Sequence, residues 1–90
     1  ILPLSYQLYN NYPNPFNPYT LINFDLPENS QVSLKVYDML GREVAILVNG
    51  PIKAGYHKVT FDAKNLASGM YIYRLIASNT IVTRKLTIIK

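Results

Sequence analysis

Three observations in the sequence predict an all-β fold, an antiparallel β-sandwich of about seven strands. Apolar residues recur at alternate positions in short runs, the period of a strand with one face buried. Turn-forming residues interrupt those runs every ~8–12 positions, the spacing of a sandwich. No segment sustains a helical period, which excludes bundles and α/β architectures. Ninety residues hold one hydrophobic core, so residues 1–90 read as a single domain. The 49% apolar fraction, patterned in this way, argues against disorder.

Residues 1–18 form a Pro/Asn-rich lead-in, and residues 19–90 form the sandwich. In the lead-in, Leu4, Tyr6 and Leu8 alternate and predict an edge strand. Asn11, Asn14 and Asn17 then intersperse with Pro13, Pro15 and Pro18 around Tyr12 and Phe16. Proline fixes φ and lacks a backbone donor, so this stretch is neither helix nor central strand. Tyr12 and Phe16 are its expected anchors against the core.

From Thr20 the chain alternates. Ile22, Phe24 and Leu26 share one face, with Leu21, Asn23 and Asp25 on the other. Residues Pro27 to Ser30 turn the chain, and Val32, Leu34 and Val36 line the next strand. Asp38 to Gly41 is a tight turn in which Gly41 suits a positive φ. Glu43 to Val48 resumes as strand, and Asn49-Gly50-Pro51 is expected to end it. Val59 and Phe61 mark one face of the strand that Ala54-Gly55 opens. A single helical turn is expected from Ala63 to Leu66. Tyr71, Tyr73 and Leu75 line the following strand, Asn79-Thr80 turns, and Ile81 to Ile89 closes the domain.

One local pattern narrows the sandwich to an immunoglobulin-like one. Tyr71 follows Gly69 at the start of a late strand, the arrangement of a tyrosine corner. A buried phenol needs a hydrogen-bond partner, so Tyr71 is expected to be buried with its hydroxyl bonded to nearby main chain.

Chemistry-bearing constellations are absent from the sequence. The net charge of +4 is scattered, with only Arg84 and Lys85 adjacent, whereas nucleic-acid binding uses a clustered basic stripe. With no cysteine there are no disulfides, thiolate metal sites or cysteine nucleophiles. His57 is the only histidine and reads as a packing or surface residue. Asp25, Asp38 and Asp62 each end a strand at a turn, where Asp bonds to local backbone. No EF-hand spacing and no phosphate-cradling glycine loop occurs, and no cofactor is expected. No apolar run reaches the ~18 residues of a membrane span. The eight tyrosines allow one further reading, a sugar-binding aromatic face, for which Tyr9, Tyr19, Tyr37 and Tyr56 are the least constrained.

Four blocks carry a family resemblance. Residues 11–18 (NYPNPFNP), continuing into Thr20 to Pro27, resemble the opening of the type A C-terminal sorting domain of the type IX secretion system. Val36 to Val44 resembles its central hairpin, Leu66 to Leu75 its Gly-x-Tyr motif, and Thr83 to Lys90 its lysine-containing terminal strand. Each block alone is weakly specific, but together they run in order over nearly the whole chain. Tyr19 departs from the polar residue more usual there.

The resemblance implies a non-catalytic module at the C-terminus of secreted proteins of the Bacteroidetes and related phyla. Its partners would be an N-terminal cargo domain, the outer-membrane translocation machinery and a sortase-like peptidase that cuts before the domain. The cargo would pass through the periplasm and end secreted or at the cell surface. The start at Ile1 without Met, and the end at Lys90 after a strand, suit a C-terminal piece of a longer protein. Within the motifs, Pro13, Asn14, Pro15, Phe16, Asn17, Gly41, Gly69 and Tyr71 are expected to be structural. Arg84, Lys85 and Lys90, with exposed edge backbone, are the expected recognition residues. The competing reading is a structural or adhesive immunoglobulin-like module that packs on a neighbour domain, binds glycan or self-associates through its edges.

Overall fold

The computed structural model describes residues 1–90, and they form seven strands and no helix. Strands β1 (Gln7–Leu8), β2 (Tyr19–Leu26) and β5 (Gly55–Asp62) make one sheet in the order β1-β2-β5. Strands β3 (Ser30–Asp38), β4 (Glu43–Ile52), β6 (Gly69–Ala77) and β7 (Thr80–Ile88) make the other, in the order β4-β3-β6-β7. All pairings between strands are antiparallel. The partition is that of an immunoglobulin-like sandwich.

The alternation in the sequence sets the two inner faces. Ile22, Phe24, Leu26 and Phe61 from one sheet meet Val32, Leu34, Val36, Tyr73, Leu75, Leu86 and Ile88 from the other, all buried. Burying each large aliphatic or aromatic side chain contributes roughly 1.5–3 kcal/mol, the main force holding the sheets together.

Four expectations change. Asn49-Gly50-Pro51 does not end β4, which continues to Ile52 with Gln31 opposite Pro51. β4 pairs only with β3, and an edge strand has one side on which a missing donor costs nothing. Its register with β3 slips twice, leaving Leu47 and Val44 as extra residues. Those bulges let Val44, Ala45, Leu47 and Val48 all pack partly on the core, which strict alternation forbids. The edge strand at the start is only two residues long, and Leu4 lies wholly exposed. Ala63 to Leu66 makes one turn bond, Leu66 N–H to Ala63 O at 3.0 Å, and no helix. The β6–β7 hairpin turns on Ser78-Asn79 rather than Asn79-Thr80, with Ser78 at φ 56° and Thr80 paired to Ala77.

Registers define two poles. Asp38 pairs Tyr71, Gly69 pairs Ile88, and Tyr19 pairs Asp62 at one end. Leu26 pairs Gly55, Ser30 pairs Ile52, and Ala77 pairs Thr80 at the other.

Candidate functional site

The motif-bearing residues, dispersed in sequence, gather at the first of these poles. The lead-in reaches it by borrowing strand-like bonds. Phe16 N–H donates to Thr87 O and Ile89 N–H donates to Phe16 O, each at 3.1 Å, a parallel bridge onto the end of β7. Asn14 Oδ1 accepts from Thr87 N–H at 3.0 Å. The Phe16 ring drops into the core 6.0 Å from Phe61. Pro13 serves through its carbonyl, which accepts from Asn11 Nδ2 at 3.2 Å and Thr20 Oγ1 at 2.8 Å. Pro15 and Asn17 are exposed.

Tyr12 is not an anchor. It is 78% exposed, and its backbone exchanges hydrogen bonds with Leu21 while its ring faces solvent. Asn11 takes the inward position instead, buried and tied to Thr20 Oγ1 at 3.0 Å. Nothing in a single sequence separates these neighbours, because an irregular segment has no period to extrapolate.

The corner closes as its sequence suggests. Tyr71 is 8% exposed, and its hydroxyl donates to Ala67 O at 2.8 Å. The same loop holds the last residue. Lys90 N–H donates to Ser68 Oγ at 2.9 Å, and Lys90 Nζ to Lys64 O at 2.7 Å.

The β3–β4 turn is held by Asp38. Its Oδ1 accepts from Leu40 N–H at 2.9 Å and Arg42 N–H at 3.0 Å, and its Oδ2 accepts from Arg42 Nε at 2.7 Å. These donors, led by the Arg42 backbone N–H, hold the Asp38 carboxyl below its ordinary pKa. Gly41 sits at φ 85°, a left-handed conformation costly to residues with a Cβ.

The three expected recognition residues separate into two kinds. Arg84 Nε donates to Leu8 O at 2.8 Å, bridging the open flank between the sheets, beside Tyr73, whose hydroxyl donates to Tyr9 O at 2.7 Å. Burial pushes the Tyr73 hydroxyl pKa up, so it stays a donor at neutral pH. Arg84 and Lys90 are thus tied to backbone. Lys85 is exposed and makes no side-chain hydrogen bond or ion pair. Thr87 and Ile89 direct backbone groups away from β6 into the lead-in. By strand alternation Lys85, Thr83 and Ile81 direct theirs the same way, and no strand pairs with them there, although β1 lies alongside β7.

Elsewhere the side chains are structural. His57 stacks on Phe24 at 5.1 Å and donates Nε2 to Lys53 O at 2.8 Å. Asp62 Oδ1 accepts from Lys64 N–H at 3.0 Å, as expected of a turn Asp. Asp25 does not cap a turn. It lies within β2, 6% exposed, and accepts from the Tyr9 hydroxyl, a bond that raises the tyrosine pKa above its ordinary value.

A family model described as the secretion system C-terminal sorting domain matches residues 10–90. A search of curated proteins finds no match.

Proposed function

Since this chain belongs to the family of secretion-system C-terminal sorting domains, and so serves as a sorting signal for type IX secretion, we propose that the signal is read from the folded sandwich at its motif-bearing pole. Membership carries interaction with the type IX machinery and export of an attached cargo to the surface or the medium. In our reading the domain itself catalyses nothing, meets the machinery in the periplasm, and is cut from its N-terminal cargo by a sortase-like peptidase. The observation that supports a folded signal is the convergence of the lead-in, the hairpin, the corner and the terminal strand. Those blocks are neighbours only when the chain is folded.

The contact we assign first is the outward edge of β7 from Thr83 to Lys85, where the strand approaches that pole. Its outward N–H and C=O groups suit pairing with a strand of the receptor, and Lys85 adds charge steering. Arg84 and Lys90 act in this reading by holding β7 in place.

The test fuses residues 1–90 behind a fluorescent protein bearing a signal peptide, in a host with type IX secretion. Extracellular and surface fluorescence should depend on the translocation machinery. Retention of a folded fusion in the periplasm, with the machinery present, would refute the reading.

A further inference from the structure

The β3–β4 turn carries a feature that its own folding does not require. Met39 and Leu40 are 60% and 81% exposed at its tip. The turn is held by Asp38, by Gly41 at positive φ, and by backbone bonds between Asp38 and Arg42 and between Gly41 and Asp38. None of these involves the Met39 or Leu40 side chains. Exposing two large apolar side chains to water is unfavourable by about 25 cal/mol for each Å² of apolar area. The other four turns avoid it. They carry Glu28-Asn29, Lys53, Lys64-Asn65 and Ser78-Asn79 at their exposed positions.

The surroundings say what kind of partner fits. Ile89 is also exposed at this pole, beyond the end of β7. β3 and β7 are two strand spacings apart, so roughly 10 Å separates the turn from Ile89 across the sheet. The charges left without an ion-pair partner here are mainly positive, with Asp62 the one side-chain carboxylate among them. Asp38 is held by Arg42 and two backbone N–H groups, Glu43 is paired with Lys35 at 3.1 Å, and Asp62 caps Lys64 N–H. Arg42 is spent on the Asp38 pair, and Lys64, Lys85 and Lys90 remain as an exposed cationic surround.

We propose that Met39 and Leu40 form a knob that inserts into an apolar pocket with an acidic rim on a protein of the translocation machinery. This inference rests on the sorting reading and deepens it. An apolar anchor in a pocket supplies affinity, and the surrounding charge supplies orientation and on-rate. A protein pocket fits better than a membrane surface. Two side chains hold fewer apolar atoms than one myristoyl chain, which by itself binds membranes only marginally. The turn is presented rigidly, so little conformational entropy is lost on docking.

The experiment places Met39→Ser with Leu40→Ser in the fluorescent fusion of residues 1–90. The double variant should keep the wild-type melting temperature within a few degrees and fall at least tenfold in machinery-dependent export. Met39→Leu with Leu40→Met should restore export, because it keeps the apolar volume. Lys64→Glu should lower export severalfold, and unchanged export there would overturn the acidic rim. Wild-type export by the double variant overturns the knob and leaves the sorting reading intact. Loss of machinery dependence in the wild-type fusion overturns both. Two further measurements use the purified chain. Binding to vesicles of phosphatidylglycerol and phosphatidylethanolamine that the double variant loses would make the contact a lipid one. A concentration-dependent dimer that the double variant loses would make the partner a second copy. Either result overturns the protein pocket.

Discussion

The two poles of the sandwich are built from the same strands and differ in what their connections do. At the turn pole, the connections are short and carry exposed polar residues, Glu28-Asn29, Lys53 and Ser78-Asn79. Their side-chain contacts include an exposed bond from Ala54 N–H to Asn29 Oδ1 at 2.9 Å and a part-buried one between the Tyr6 hydroxyl and Ser30 Oγ at 3.0 Å. At the motif pole, the lead-in, the corner loop and the C-terminal residues are stitched together, and two large apolar side chains face water. The turn pole exposes apolar side chains too, Leu4 on the N-terminal segment and Ile81 on β7, but none at the tip of a turn. What sets the motif pole apart is its over-determined backbone geometry, which holds Met39 and Leu40 outward at a turn tip, the combination expected of a presented binding site.

Substitutions can break that contrast, beginning with the largest effect. Phe16→Ala empties a core site and loosens the bridge onto β7, and should cost about 3–5 kcal/mol in denaturant unfolding. Tyr6→Ala at the turn pole should cost clearly less, and equal losses would erase the distinction between the poles. Tyr71→Phe removes the hydroxyl bond to Ala67 O and should cost ~1 kcal/mol, against a few tenths for Tyr6→Phe.

The Asp38 clamp gives a pH dependence. Its folded pKa lies below the unfolded value of about 3.9, so its stabilising contribution is complete above that pH and is lost as the pH falls through the folded pKa. Asp38→Asn should flatten the acid limb of a stability profile below about pH 4 and leave the neutral region without a new slope. The smallest effect on stability belongs to Lys85→Glu, within about 0.5 kcal/mol for an exposed unpaired side chain. That variant should still reduce export, whereas Lys58→Glu, on the outer face of β5, should alter neither quantity.

Deleting Leu86 to Lys90 is a poorer probe of recognition. It removes Leu86 and Ile88, both buried, along with the partners of Phe16, so lost export would report lost folding.

Strict alternation made β2, β3, β5, β6 and most of β7 legible, together with their inward faces. The corner was legible because a buried tyrosine after Gly69 has few ways to satisfy its hydroxyl. What escaped depended on tertiary position. Pro51 marks a strand end in a central strand but is tolerated in β4, and alternation does not reveal which strand lies at an edge. Asn11, not Tyr12, turns inward, which the irregular lead-in gives no period to foretell. Arg84 and Lys90 look like free surface cations until the fold brings Leu8 O and Lys64 O within reach. The exposure of Met39 and Leu40 was equally hidden, since an apolar pair at a turn can fold inward or stand out.

The most direct test is a photocrosslinking scan of the exported fusion. A photoreactive residue would replace Met39, Leu40, Lys85 or Ile89 at one pole, and Glu28, Lys53 or Asn79 at the other. Crosslinks to outer-membrane components of the secretion system should form from the motif pole and not from the turn pole. Crosslinks arising equally from both poles, or chiefly from Glu28, Lys53 and Asn79, would contradict the account.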